Sequence, residues 1–128
     1  MKYILTVMFA SGILPAAVTL FAHHSFTATY IEDKTVTIEG RVAQFLFRNP
    51  HSFIHIDVKG EDGKLTRYAV EGAAGQQFST QGVNANSLRP GDHVIVTGSP
   101  GRNATDHRVR LRTITRPSDG WKWGGTFD

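Results

Sequence analysis

The chain of 128 residues contains no cysteine. Disulfide bonds, thiolate metal sites and a cysteine nucleophile are therefore excluded, and any metal ion must be held by histidine, carboxylate or backbone groups. The sequence also lacks a GxSxG nucleophile elbow, a glycine-rich phosphate loop and the paired helical histidines of a zinc hydrolase. These absences predict a protein that is not an enzyme.

The first 22 residues differ in composition from the rest of the chain. One positive charge at Lys2 is followed by an uncharged apolar run that ends at Ala22. This pattern is typical of a secretory signal peptide. The alternative is a retained membrane anchor, since the run is about long enough to cross a bilayer. A glycine and a proline inside the run favour cleavage, so we expect bacterial export to the periplasm or the medium, without stable membrane insertion after signal removal.

Cleavage after Ala22 defines the expected organisation of the chain. Removing 22 of 128 residues leaves 106, and the mature protein begins His23-His24-Ser25-Phe26. A hydrophobic share of 40% and a charged share of 20% are typical of one globular domain. We expect a signal peptide, an extended arm, a folded domain and an irregular tail, at residues 1–22, 23–34, 35–116 and 117–128.

Alternation of apolar and polar residues predicts five short strands in the domain. They cover residues 35–47, 51–59, 65–71, 93–98 and 107–115. A short helix is expected near residues 74–80, and Gly40 suggests a bend or bulge in the first strand. Three strands, a helical connector and two strands is the order of an OB-type barrel. We therefore expect an all-β fold with one short helix, a small five-stranded OB-like barrel, with an open sandwich as the alternative.

Three motifs together resemble a known family. They are AHHSF at residues 22–26, NPH at 49–51 and SLRPGDHVIVTG at 87–98. The pattern is similar to that of small exported bacterial proteins of unknown function, which share an HHSF start, an NPH turn and an LxPGDxVxVxG segment. The resemblance covers nearly the whole mature chain. It implies an exported OB-like domain and implies no particular reaction.

The histidines at the expected mature N-terminus are a candidate metal site. A free N-terminal His23 offers its amine and its ring nitrogen Nδ1 to one ion, and His24 is an alternative ring donor. One more imidazole gives a three-nitrogen set that suits Cu(II). We prefer His51 over His55 as this third ligand, because it follows a turn that the arm can reach. The alternative is that both N-terminal histidines are solvated at a frayed end.

A second candidate site is the arginine face of the last predicted strand. Alternation places Arg108, Arg110 and Arg112 on one side, about 6.6 Å apart. They could meet an anionic polymer or a protein partner, whereas export makes nucleic acid an unexpected partner. The alternative is an outer face on which the arginines pair with Glu39, Glu71 or Asp57. The sequence thus predicts an exported, non-enzymatic barrel that binds a copper ion, with an arginine-presenting interaction module as the alternative.

Overall fold

The computed structural model describes residues 26–128. In this part of the chain, the elements that follow the N-terminal arm are, in order, β1 (Val36–Leu46), β2 (Phe53–Lys59), β3 (Leu65–Glu71), α1 (Gly75–Thr80), β4 (His93–Pro100), a 3-10 helix (Ala104–Asp106), β5 (Arg108–Arg116) and β6 (Trp121–Gly124). The first five strands and α1 lie where the alternation of the sequence predicts them, with ends shifted by no more than two residues.

The first five strands close into a barrel. β1 pairs with β2 and β4, β2 with β3, and β4 with β5, all antiparallel. A short parallel pairing of β3 with β5, in which Val70 lies opposite Val109, closes the ring. This strand order, with a helix between β3 and β4, is that of an OB-type barrel. The predicted all-β barrel with one short helix is confirmed, and the open sandwich is not the fold.

The core follows from the period of two along each strand. Alternate side chains of β1, β2, β4 and β5 are buried, among them Ile38, Val42, Ile54, Ile56, Val94, Val96, Val109 and Leu111. Burial of each contributes about 1.5–3 kcal/mol relative to exposure. Phe78 of α1 covers one side of this core, and its ring centre lies 5.0 Å from that of Trp123.

The C-terminal segment differs from the expectation of an irregular tail. Asp119 and Gly120 form a turn after β5, in which the Asp119 carboxylate accepts the backbone N–H of Trp121 at 3.1 Å. Gly120 has a φ of 74°, a conformation that glycine adopts without strain. The chain therefore returns beside β5 as β6. The prediction is wrong at residues 121–124 because flanking glycines concealed a short hairpin strand.

Gly40 was predicted to mark a bend or a bulge in β1, and the β1–β2 bulge does not lie there. The shift in the β1–β2 register lies between Val42 and Gln44, two residues further on. At Gly40 itself, an added Cβ would lie 2.3 Å from the Asp57 carbonyl oxygen. Glycine is needed there because a neighbouring backbone approaches closely.

Within residues 26–128, no helix has the length and hydrophobicity needed to cross a membrane.

Candidate functional site

The arm that precedes β1, residues 26–34, packs onto the outside of the barrel. Residues 26–29 are helical, and the Tyr30 N–H donates to the Phe26 carbonyl at 2.7 Å. Both aromatic side chains are buried, with 4% and 0% of their surface exposed. The expectation of an extended arm is thus wrong at residues 26–29. Side chains four residues apart on a helical turn share one face, so both rings can pack against the barrel.

Two arginines of β5 hold the arm in place. Arg110 donates one hydrogen bond to the Glu32 carboxylate and another to the Phe127 carbonyl. Its guanidinium carbon lies 3.8 Å from the centre of the Phe26 ring, a cation–π contact. Arg112 donates to the backbone carbonyl of Glu32. The arm and the end of the chain therefore cover the arginine face at Arg110, whereas the side chain of Arg108 is 35% exposed.

These contacts bear on the arginine-face hypothesis. Arg108 pairs with Glu71 at 3.1 Å, one of the intramolecular partners considered from the sequence. Arg110 pairs instead with Glu32, which no strand pattern singles out because it lies in the arm. The side chain of Arg110 is 14% exposed. Presentation of this face to an anionic polymer or a protein stays a prediction, and the geometry favours pairing within the chain.

Glu71 is the centre of a buried polar cluster under the arm. Its Oε2 accepts the Tyr30 hydroxyl at 2.5 Å and Arg108 Nη2 at 3.1 Å. A carboxylate that is 9% exposed needs such donors, because an uncompensated buried charge is strongly unfavourable. Burial, and then the hydrogen bond to Glu71, raise the pKa of Tyr30 well above its ordinary value. The tyrosine therefore stays protonated and acts as a donor.

His51 lies beside this cluster. Its Nδ1 is 3.8 Å from Oε1 of Glu71 and is buried, without a hydrogen-bond partner among the described residues. Its ring centre is 5.2 Å from that of Phe26 and 5.9 Å from that of Phe127. The side chain is 23% exposed. His51 is thus held between two aromatic rings and a carboxylate, in contact with Phe26 of the arm.

The other described histidines have neighbours different from those of His51, and His55 lies on β2 opposite Ala69. His93 Nε2 is 2.8 Å from Glu39 Oε1, and the His107 ring packs on Tyr68 with the ring centres 5.2 Å apart. Residues 26–128 contain no group of three or more His, Cys, Asp or Glu side chains arranged to hold a metal ion. His23 and His24 lie outside the described residues. The predicted copper site at His23, His24 and His51 therefore stays a prediction.

Three residues of this cluster were not predicted as site residues: Tyr30, Glu71 and Phe127. For Glu71 the sequence contains a signal, because the turn GEDGK at residues 60–64 sets the register of the β2–β3 hairpin. In that register Glu71 lies opposite Phe53, two residues after His51. The other two positions carry no comparable signal, since arm and chain end are placed by tertiary packing.

The fold and this covered face define the class of the protein, a small OB-like barrel with an arm folded over one outer surface. The chain belongs to the family of unknown function DUF6152, whose model matches residues 11–110. The resemblance described from the sequence motifs is likewise to a family of unknown function. Export and the role of the shared motifs stay predictions. No curated protein matches the chain.

Proposed function

We propose that this protein is an exported, non-enzymatic β-barrel that binds one copper ion at a mature N-terminus formed by cleavage after Ala22. His23 supplies its amine and ring nitrogens, and His51 supplies a second imidazole. His24 is the alternative ring donor at the N-terminus. The proposed location is the periplasm or the medium.

The observation that supports this proposal is the contact between Phe26 and His51, whose ring centres lie 5.2 Å apart. His23 precedes Phe26 by three residues, which span at most about 10 Å when extended. The start of the mature chain is therefore within reach of the His51 ring. The barrel supplies a rigid position for His51, and the buried arm supplies an anchored start for the N-terminal residues.

The chemistry of His51 suits a metal ligand. Metal-bound histidine typically directs one ring nitrogen at the metal and the other at a carboxylate or carbonyl. In this protein Nδ1 faces Glu71, which leaves Nε2 on the far edge of the ring for a metal. Both residues lie on the hairpin formed by β2 and β3 and the turn before it, so their relation is set by the barrel.

The choice of Cu(II) rests on the donor set. The two methionines of the chain, Met1 and Met8, lie in the expected signal peptide, and cysteine is absent. After cleavage no sulfur ligand remains for the soft Cu(I) ion. Nitrogen donors bind Cu(II) more tightly than other divalent first-row metals. The proposed donors, one amine and two imidazoles, are all nitrogen.

The test is Cu(II) titration of the mature protein with a free His23, produced by a fusion whose protease leaves residue 23 first. Intact mass of the exported, untagged protein checks the cleavage site. We expect one copper ion per chain. A variant with Gly-Pro before His23 should bind on the order of 100-fold or more weakly, because the free amine no longer adjoins the His23 ring and proline has no backbone N–H to build a substitute chelate. A matched control carries Gly-Pro after Asp128.

His51→Ala should likewise weaken binding, and the electron paramagnetic resonance spectrum should lose a nitrogen ligand. Equal copper affinity in the extended variant and its control would overturn the proposal. So would an exported chain that begins elsewhere than His23, because the chelating amine would then belong to another residue.

A further inference from the structure

The two oxygens of the Glu71 carboxylate have different surroundings. Oε2 accepts hydrogen bonds from the Tyr30 hydroxyl and from Arg108 Nη2. Oε1 faces His51, at 3.8 Å from Nδ1. Because two donors from different parts of the chain fix Oε2, the direction of Oε1 is also fixed. The carboxylate therefore presents one acceptor toward the imidazole.

The imidazole in turn has one polar atom that needs a partner. Nδ1 of His51 is buried and makes no hydrogen bond within residues 26–128. Buried polar atoms are almost always paired, and an unpaired one calls for an explanation. Oε1 is the charged acceptor beside it, and an approach of roughly 1 Å would bring the pair to hydrogen-bond distance. Phe26 and Phe127 hold the ring beside Glu71. Only a small adjustment of the two side chains is therefore needed to form the hydrogen bond.

We infer that Glu71 is a positioning residue, which holds neutral His51 in the tautomer protonated at Nδ1 and so presents an unprotonated Nε2 as the ligand atom. This inference rests on the proposed copper function for its consequence, although the tautomer itself is a property of the metal-free protein. Tyr30 and Arg108 act through Glu71 by fixing the orientation of its carboxylate.

Glu71→Gln provides a sharp test, because glutamine has one acceptor oxygen and one donor nitrogen. Tyr30 and Arg108 both donate, so the amide oxygen must occupy the position of Oε2. The NH₂ group then faces Nδ1 of His51 and donates to it. Nδ1 must become an acceptor, and the ring proton moves to Nε2, where it blocks the proposed ligand atom.

The experiment measures the ring ¹⁵N chemical shifts of His51 in the metal-free mature protein, at a pH of about 8.5, where histidine is ordinarily neutral. We expect the Nδ1-protonated form in the wild type and the Nε2-protonated form in Glu71→Gln. The control is Glu39→Gln, which changes another carboxylate that faces a histidine ring, at 2.8 Å from His93. It should leave the His51 shifts unchanged.

Copper titration of the same variants measures the consequence. Loss of a partner that orients a metal-bound histidine typically weakens binding about 10–100-fold. We expect that loss in Glu71→Gln and no loss in Glu39→Gln. An unchanged His51 tautomer in folded Glu71→Gln overturns the inference. So does a changed tautomer when the wild type binds copper and Glu71→Gln binds it with the same affinity.

Two further results separate this inference from the copper proposal. If the tautomer changes as expected but the wild type binds no copper, the positioning role is supported and the copper proposal fails. If Glu71→Gln does not fold, Glu71→Asp replaces it. Its carboxylate is one carbon shorter and cannot both bind Tyr30 and reach His51, so the Nδ1-protonated form should lose its preference. A retained preference in Glu71→Asp contradicts the inference.

Discussion

Two regions of the barrel surface carry similar charged pairs in different surroundings. On the arm-covered face, Arg110 pairs with Glu32, and the arginine side chain is 14% exposed. On the open face, Arg67 pairs with Asp57 at 2.8 Å, and the arginine side chain is 60% exposed. Both arginines are outward-facing strand residues. The difference comes from the arm, because it excludes water from one face of the barrel and leaves the other in solvent.

This difference in exposure changes how much each ion pair contributes to the free energy of folding. Exposed ion pairs contribute little, since water and salt screen the attraction. In a covered cluster, removal of one partner leaves a charged group without water or protein donors. The covered face is therefore the region where single substitutions should have large effects, and it is also the region that contains His51 and Glu71.

The largest effect is expected from removal of the aromatic anchor of the arm. Tyr30→Ala deletes a fully buried ring and should lower the free energy of unfolding by about 3–5 kcal/mol. Leu65→Ala, on a side chain that is 65% exposed, should change it by no more than about 0.5 kcal/mol. Urea unfolding measures both. Equal effects of the two variants would show that the arm does not pack stably on the barrel.

A smaller effect concerns alkaline pH. The pKa of Tyr30 is raised by burial and by Glu71, so above pH 10 the unfolded chain releases this proton while the folded chain keeps it. The stabilisation is complete below the ordinary tyrosine value and is lost as the pH rises above it. In this range, Tyr30 should lower the free energy of unfolding by about 1.4 kcal/mol for each unit of pH. Unfolding from pH 9 to 11.5 should show that component in the wild type and lack it in Tyr30→Phe; identical slopes contradict it.

The smallest effect is expected on the open face. The hydrogen bonds from Arg67 lower the pKa of Asp57 below its ordinary value. In Arg67→Ala that pKa should return toward the ordinary value, as measured by NMR titration of the carboxyl carbon. The urea midpoint at neutral pH should stay unchanged, because the pair is exposed to solvent. A marked drop in the midpoint would contradict the contrast between the two faces.

The candidate site shows how far sequence patterns reach. The outward direction of His51 follows from the burial of Ile54 and Ile56 in β2, the strand that begins two residues after it, and alternation predicts this burial. The place of Glu71 follows from the hairpin register. The proximity of Tyr30 to both could not be predicted, because the arm has no periodic pattern and its contacts join residues 41 positions apart.

By itself, the sequence determined the five strands, the short helix and the inside of the barrel, because a period of two and turn residues act over a few neighbouring positions. It also determined that any metal would be held without cysteine. Only the tertiary structure decided that the arm and Phe127 cover the face of Arg110, and that Glu71 lies under Tyr30 beside His51. These relations depend on packing between distant segments, where the free energy comes from excluding water jointly and no local pattern records which segments meet.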